Sequence, residues 1–277
     1  MANPLFNKKL GQHILVNQTI IDTIITRAKI KSTDVVLEIG GGTGNLTMKL
    51  LEKAKRVVCY EKDPRLAMEL VKKVNSVKGL VNKFELIVGD ALKHDFPYFD
   101  LCISNIPYQI SSPLTFKLLS YNFNAAYLMF QKEFADRLVA KPGSKEWCRL
   151  SVAVQIVANT EHVLNVSKKN FRPPPKVESS VVKIKPRYPK PPINLEELNK
   201  LLKICFLRRN KTLGSIFKGK GVKNIIKASL NEEDDCEKIV EDVLSRIDAG
   251  KMRSAKMSIE DFLVLMLEFK KENLHLS

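Results

Sequence analysis

Residues Val35 to Asn45 read VVLEIGGGTGN. The stretch opens on Val35-Val36-Leu37, a short apolar run rich in β-branched side chains. A run of that kind stopped by glycine predicts a buried parallel strand. Gly40, Gly41, Gly42 and Gly44 follow, and a helical pattern starts near Asn45 with Leu46, Met48, Leu50 and Leu51. An α/β sheet receives a nucleotide through this order of strand, glycine turn and helix. Glycine lets the backbone approach the ligand, and the first helical turn presents free N–H groups. A turn without a ligand is a poor account, because so many glycines weaken a fold that gains nothing from them.

Two cofactor classes compete for this element. A dinucleotide site wants G-x-G-x-x-G/A, whose third small residue packs helix on strand. The frame from Gly40 gives Gly40, Gly42 and Asn45, and the third position is wrong. Glu38, Gly40, Gly42 and Gly44 instead match E-x-G-x-G-x-G at every position. That pattern resembles the class I methyltransferases that bind S-adenosylmethionine, and it disfavours an oxidoreductase.

The chain of 277 residues is long enough for one large domain, or one medium and one small. A hydrophobic content of 44% is ordinary for a globular protein. The net charge of +16, from 46 Lys and Arg against 30 Asp and Glu, argues for a polyanionic partner, nucleic acid before membrane. Cys59, Cys102, Cys148, Cys205 and Cys236 are scattered, with no CxxC or Cys/His cluster. Neither zinc nor a disulfide framework is suggested, and no metal is expected. Cys59 and Cys102 sit inside apolar runs and read as core thiols. No apolar signal region opens the chain and no run approaches transmembrane length, so a reducing intracellular compartment is expected.

Outward from the glycine motif, the pattern predicts a helix from Ile20 to about Ala28, a second strand over Arg56–Tyr60, a helix from Pro64 to about Val74 and a third strand over Phe84–Val88. Glu61 ends the second strand, 21 residues after Gly40, where a carboxylate can accept from ribose hydroxyls. Gly89-Asp90 ends the third, which puts Asp90 at the same carboxyl edge. A fourth strand, Asp100–Ser104, leads into Asn105-Ile106-Pro107-Tyr108. A helix over Pro113–Leu119 and a strand over Ala125–Phe130 continue the alternation. Residues 131–150 are expected to hold a helix and the basic loop Lys141-Pro142-Gly143-Ser144-Lys145. Further strands are expected at 162–167 and 178–185, either side of the stiff Phe171-Arg172-Pro173-Pro174-Pro175-Lys176 loop. Pro186, Pro189, Pro191 and Pro192 crowd together and mark a domain boundary. Two domains are therefore expected, 1–188 and 189–277. From Leu195 the pattern is helical, ending in an amphipathic helix from Ser258, as N-cap, to about Phe269. Residues 200–227 carry nine Lys and Arg and no acid, whereas the block from Glu232 to Asp242 is acidic.

Asn105-Ile106-Pro107-Tyr108 suits methylation of the exocyclic amine of adenine. The lone pair of that nitrogen is delocalised into the ring and is a poor nucleophile. Two carbonyl acceptors on the NH₂ would favour a tetrahedral nitrogen and aim its lone pair. Asn105 supplies one and the backbone of Ile106 the other. Pro107 restrains Ile106 and pre-positions that acceptor. Tyr108 offers a face on which an unpaired base can stack. Transfer is then an in-line displacement at a sulfonium methyl, with no metal and no covalent intermediate.

Taken together, these residues resemble the rRNA adenine dimethyltransferase family over nearly the whole chain. The match rests on Gly11-Gln12-His13-Ile14-Leu15, the glycine motif, Gly89-Asp90, Asn105-Ile106-Pro107-Tyr108, Phe171-Arg172-Pro173-Pro174-Pro175-Lys176-Val177 and Arg209-Asn210-Lys211-Thr212-Leu213. The last two segments are most similar to the eukaryotic small-subunit branch. The resemblance implies a class I, Rossmann-like domain with a small C-terminal helical domain. It implies two methylations on each of two adjacent adenosines near the 3′ end of small-subunit rRNA, and a role in ribosome assembly in the nucleolus of the nucleus, with the cytoplasm as the alternative location; a monomer is expected. By position, His13, Leu15, Gly40, Gly42, Glu61, Asp90 and Asn105 would contact S-adenosylmethionine, Leu15 through its backbone and Asp90 at the adenine. Asn105, Pro107, Tyr108 and Phe171 would act on the target base. Lys141, Lys145, Arg149, Lys168, Lys169, Arg172, Lys176, Arg208, Arg209 and Lys211 are the expected phosphate contacts. Gly41 stands where the family usually has proline, which is expected to loosen the cofactor loop. Ile106 replaces leucine and leaves the backbone acceptor intact. Two rival readings are large-subunit rRNA adenine methyltransferases of antibiotic resistance and a non-catalytic RNA-binding assembly factor. The helical domain and Arg209–Leu213 weigh against the first, and an intact Asn105–Tyr108 motif against the second.

Overall fold

In the computed structural model, which describes residues 13–227 and 235–272, the apolar run before the glycines is a central strand of a seven-stranded sheet. The elements of the first unit, in chain order, are β1 (Ile14–Leu15), α1 (Gln18–Ala28), β2 (Val35–Ile39), α2 (Asn45–Lys53), β3 (Arg56–Glu61), α3 (Pro64–Asn75), β4 (Phe84–Val88), β5 (Leu101–Asn105), α4 (Ser111–Ser120) and β6 (Ala125–Gln131). After β6 the chain runs through α5 (Lys132–Leu138) and α6 (Arg149–Val157), then β7 (Ala158–Val166), β8 (Phe171–Arg172) and β9 (Ser179–Pro186).

The sheet order is β4-β3-β2-β5-β6-β9-β7, with β4 through β6 parallel and β9 antiparallel to both β6 and β7. The order reverses between β2 and β5, and ligands of open α/β sheets bind at such a switch point, beyond the carboxyl ends of the strands. Register aligns those ends. Ile39 pairs with Tyr60 and Glu61 with Val88, while Gly40 N donates to Tyr60 O at 2.7 Å and Gly89 N to Glu61 O at 2.9 Å. The glycine turn, Glu61 and Asp90 therefore share one edge.

Two of the helices on this sheet start at polar caps. Asn17 caps α1, which buries Ile21, Ile24, Ile25 and Ala28. Asp63 caps α3 with Pro64 in its first turn, and Leu66, Ala67, Leu70 and Val74 face inward. Both Cys59 and Cys102 are fully buried, and burial pushes the Cys102 thiol up to about 12, as core thiols require. A two-stranded ribbon pairs Ile14 with Arg172 and Leu15 with Phe171. Segments this short carry no periodicity from which the pairing could have been read.

The second unit holds residues 136–157 and the chain from Tyr188 onward, with α7 (Leu195–Cys205), α8 (Leu213–Phe217), α9 (Lys220–Lys227), α10 (Cys236–Arg246) and α11 (Ile259–Lys271). The expected domain line is thus corrected: 136–157 leave the sheet unit although they lie in its sequence. The reason is α6, whose Ser151, Val152, Ala153, Val154 and Ile156 are all buried. A helix buried nearly all round shows no amphipathic stripe in sequence. Within the unit α6 packs with α7 and α11. The tail helix forms as predicted, with a reciprocal capping box between Ser258 and Asp261.

Candidate active site

The cleft at the carboxyl edge is lined by His13, Leu15, Glu38, Gly40, Gly42, Glu61, Lys62, Asp90, Asn105, Pro107 and Tyr108, among others. All six expected cofactor positions other than Asn105 are therefore together with it. Gly11 and Gln12 lie outside the described residues.

The glycine turn is held from several sides. Gly40 has φ +80°, and a Cβ there would meet Pro107 Cδ at 3.4 Å, so glycine motif and Asn105–Tyr108 segment press on each other. Lys73 Nζ donates to Thr43 O at 3.1 Å and to Asn45 Oδ1 at 3.0 Å, and Asn45 Nδ2 donates to Leu15 O at 2.9 Å. Gly41 sits in a closed space. Gly41 is buried, and a Cβ on it would lie 2.5 Å from Cys59 Sγ and 2.8 Å from Leu70 Cδ2. Those side chains fill the space a larger residue would need.

Glu61 is buried, with Oε2 accepting from Gly42 N and Oε1 from Asp63 N, each at 2.8 Å. Burial raises its pKa, against the pull of those N–H groups. Asp90 is held below the ordinary carboxylate range, first by Lys62 Nζ at 2.9 Å on Oδ2 and then by Leu92 N. Lys62 and Lys73 were not picked out in the sequence. Lys62 directly follows Glu61, and that adjacency was the available signal.

At the opposite wall, Asn105 Nδ2 donates to His13 O at 2.8 Å. Only the amide nitrogen can face a carbonyl, so Oδ1 is the acceptor that Asn105 offers the cleft. The Pro107 carbonyl accepts from Ile110 N at 3.1 Å, and the buried Ile106 precedes it. The Tyr108 hydroxyl pairs with Ser179 Oγ at 2.7 Å, and its ring stacks on His13 at 5.6 Å between centroids. One face of Tyr108 is thus occupied by His13, whose Nδ1 lies 2.9 Å from Pro173 O. Phe171 is a correction. It is 0% exposed within the core cluster that includes Leu15 and Val166, so it has no face to give a base.

Of the expected phosphate contacts in the first unit, Lys168, Lys169, Arg172 and Lys176 are all exposed. In the second unit Lys141, Lys145, Arg149, Arg208 and Lys211 are exposed as well. Arg209 departs from the expectation. Its Nη1 donates to Lys145 O at 2.7 Å and its Nη2 to Ser144 O at 3.0 Å, so it anchors the basic loop. Ala255 N donates to Arg209 O and Gly143 N to Ala255 O, which adds the exposed Arg253 and Lys256 to this cationic surface. Sequence offered no hint of that, since tertiary hydrogen bonds alone bring 252–256 here. Among the described residues no Cys, His, Asp and Glu group could hold a metal, and no helix is long and apolar enough to cross a membrane.

The profile of a family described as ribosomal RNA adenine dimethylase matches residues 3–247. The chain is 45% identical to a dimethyladenosine transferase of Schizosaccharomyces pombe, over 98% of this chain and 92% of that one. Among solved structures, a dimethyladenosine transferase from Plasmodium falciparum is 43% identical with TM-score 0.89, covering 96% of this chain and all of that one. The 23S rRNA methyltransferase ErmE is 26% identical with TM-score 0.68, over 93% and 99% of the two chains.

Proposed function

The chain belongs to the ribosomal RNA adenine dimethylase family, and on that premise we propose that it dimethylates two adjacent adenosines near the 3′ end of small-subunit rRNA. S-adenosylmethionine is the methyl donor, and the cleft fits it. Glu61 offers acceptors for ribose hydroxyls, Asp90 an acceptor for the adenine amine, and Gly40 lets backbone come close. The bound donor supplies a methyl group on a sulfonium, open to in-line attack.

The fixed amide of Asn105 carries the reading. With Nδ2 tied to His13, Oδ1 accepts one hydrogen of the target amine and the Ile106 carbonyl the other. The nitrogen lone pair is then turned out of the ring plane before the methyl moves. The ring of Tyr108 supports the base on the face away from His13. The amine proton leaves to water.

The lower identity and TM-score to the 23S enzyme than to the dimethyladenosine transferase weigh against a 23S target. The same reading includes a part in small-subunit assembly, nucleolar location and action as a monomer. Labelled S-adenosylmethionine is incubated with immature small subunits and the product nucleoside is identified. Label in dimethyladenosine of a 3′-terminal small-subunit fragment is expected. Label only in monomethyladenosine, or in large-subunit RNA, overturns the assignment.

A further inference from the structure

One acidic side chain under the glycine turn has no part in methyl transfer as described above. Glu38 lines the cleft yet is 1% exposed, and no donor reaches its Oε2 with hydrogen-bond geometry. Thr47 Oγ1, offered by α2, is likewise buried; it lies near enough to the carboxyl to favour its charged form but makes no well-aligned hydrogen bond. The other groups acting on this carboxyl are Cys59 and Glu61 on β3, and Cys102 on β5. None of them is a cation, and no ion pair of the described residues includes Glu38. Burial pushes the carboxyl up to about 8, while Thr47 and Cys59 hold it back in part and Glu61 adds to the rise. In the free protein Glu38 therefore carries its proton at neutral pH.

The two natural occupants of the cleft differ by one charge. The methyl donor brings a sulfonium, and after transfer the same sulfur is neutral in S-adenosylhomocysteine. Around a buried carboxyl the protein screens charge less than water does, so that difference acts on it over several ångströms. A buried acid with no cation of its own is the group most able to respond.

We propose that Glu38 makes the cleft charge-selective, giving its proton to solvent when the sulfonium cofactor binds and keeping it when the neutral product binds. The inference rests on the cofactor reading of the cleft. The O–H bond of the carboxylic acid breaks, the proton passes to water or buffer, and the carboxylate stays as counter-charge to the sulfonium. Dimethylation requires product to be exchanged for fresh cofactor between transfers, and Glu38 biases that exchange towards the charged form.

The test is calorimetry of the free protein with S-adenosylmethionine and with S-adenosylhomocysteine, in buffers of different ionisation enthalpy near pH 7. Glu38→Gln keeps the shape of the side chain and removes its proton. The difference between wild type and Glu38→Gln cancels protons lost by the ligand's own amine. Close to one extra proton should leave wild type on binding S-adenosylmethionine and none on binding the product. The wild-type preference for the charged ligand should climb by up to about tenfold per pH unit below about pH 8, level off above it, and stay flat in Glu38→Gln. Equal proton counts in wild type and variant overturn the proposal and leave the cofactor site standing. If wild type binds neither ligand, the proposal and the cofactor reading both fall. If Glu38→Gln binds neither, the wild-type ratio decides: a rise with pH supports the proposal and a flat ratio overturns it.

Discussion

At the scale of single residues, Asn105 and Tyr108 face the target base in different ways. Asn105 acts through one acceptor oxygen, which matters most in the transition state. Asn105→Ala should lower turnover by about 10²-fold or more, judged from comparable catalytic hydrogen bonds, with binding to immature subunits retained. Tyr108→Phe keeps the ring but leaves the buried Ser179 hydroxyl without its partner, so a loss of a few-fold is expected, and Tyr108→Ala should lose most activity. Single-turnover methylation rates check both, and a Phe variant as dead as the Ala variant would show that the hydroxyl carries the function. Glu38 gives a second measurement on the free protein. Its pKa rises from an ordinary 4.5 to about 8 in the fold, so the folded state holds the proton more tightly than the unfolded chain. The stability it contributes is present below about pH 4.5 and is lost as pH climbs to about 8. Glu38→Gln has no such loss. Its advantage over wild type should grow by a few kcal/mol across that window and level off above it, as denaturant titrations at stepped pH would read. Sequence named Asn105, Glu61 and Asp90 because each ends a strand or follows a glycine, and Tyr108 because it closes the motif that Asn105 opens. It misassigned Phe171, since a Phe before three prolines looks the same whether it faces a base or a core.

At the scale of elements, most strands and helices of the sheet unit were legible, because one buried face gives each a period or a continuous apolar run. What escaped were elements set by partners distant in the chain. The Leu15–Phe171 ribbon spans two residues a side, and α6 is buried nearly all round. The glycine turn shows the same limit in one position. The expected difference there was one of stiffness, whereas the structure shows that the space around Gly41 is closed by Cys59 and Leu70. Gly41→Ala should therefore destabilise by about 1–3 kcal/mol through overpacking and weaken cofactor binding as the turn shifts. Pairing it with Cys59→Ala removes the nearest atom, so the double variant should be more stable than the sum of the single effects implies. Chemical denaturation of the three variants decides it, and strict additivity would mean that Cys59 does not close that space.

At the scale of the whole molecule, the charge surplus is distributed over separate surfaces, and the basic side chains there do not all act alike. Arg208, Lys211, Lys141 and Lys145 are exposed, whereas Arg209 turns its guanidinium onto the Ser144 and Lys145 carbonyls. A cation on a phosphate releases counterions, and each such contact steepens the fall of log affinity with log salt by roughly 0.7–0.9. Neutralising Arg208 and Lys211 together should flatten that slope by up to about two contacts, with cofactor affinity unchanged. Arg209→Ala removes no phosphate contact of its own but frees the loop that carries Lys141 and Lys145. Its slope should fall as though those lysines were lost, and adding Lys141→Ala and Lys145→Ala to it should then change little. Arg253 and Lys256, joined to this surface through Ala255, should contribute to the slope although they lie outside the acid-free stretch. The measurement is binding of immature small subunits over a series of salt concentrations. If Arg209→Ala and the two loop lysines lower the slope independently, Arg209 touches RNA directly and the anchoring role assigned to it is wrong.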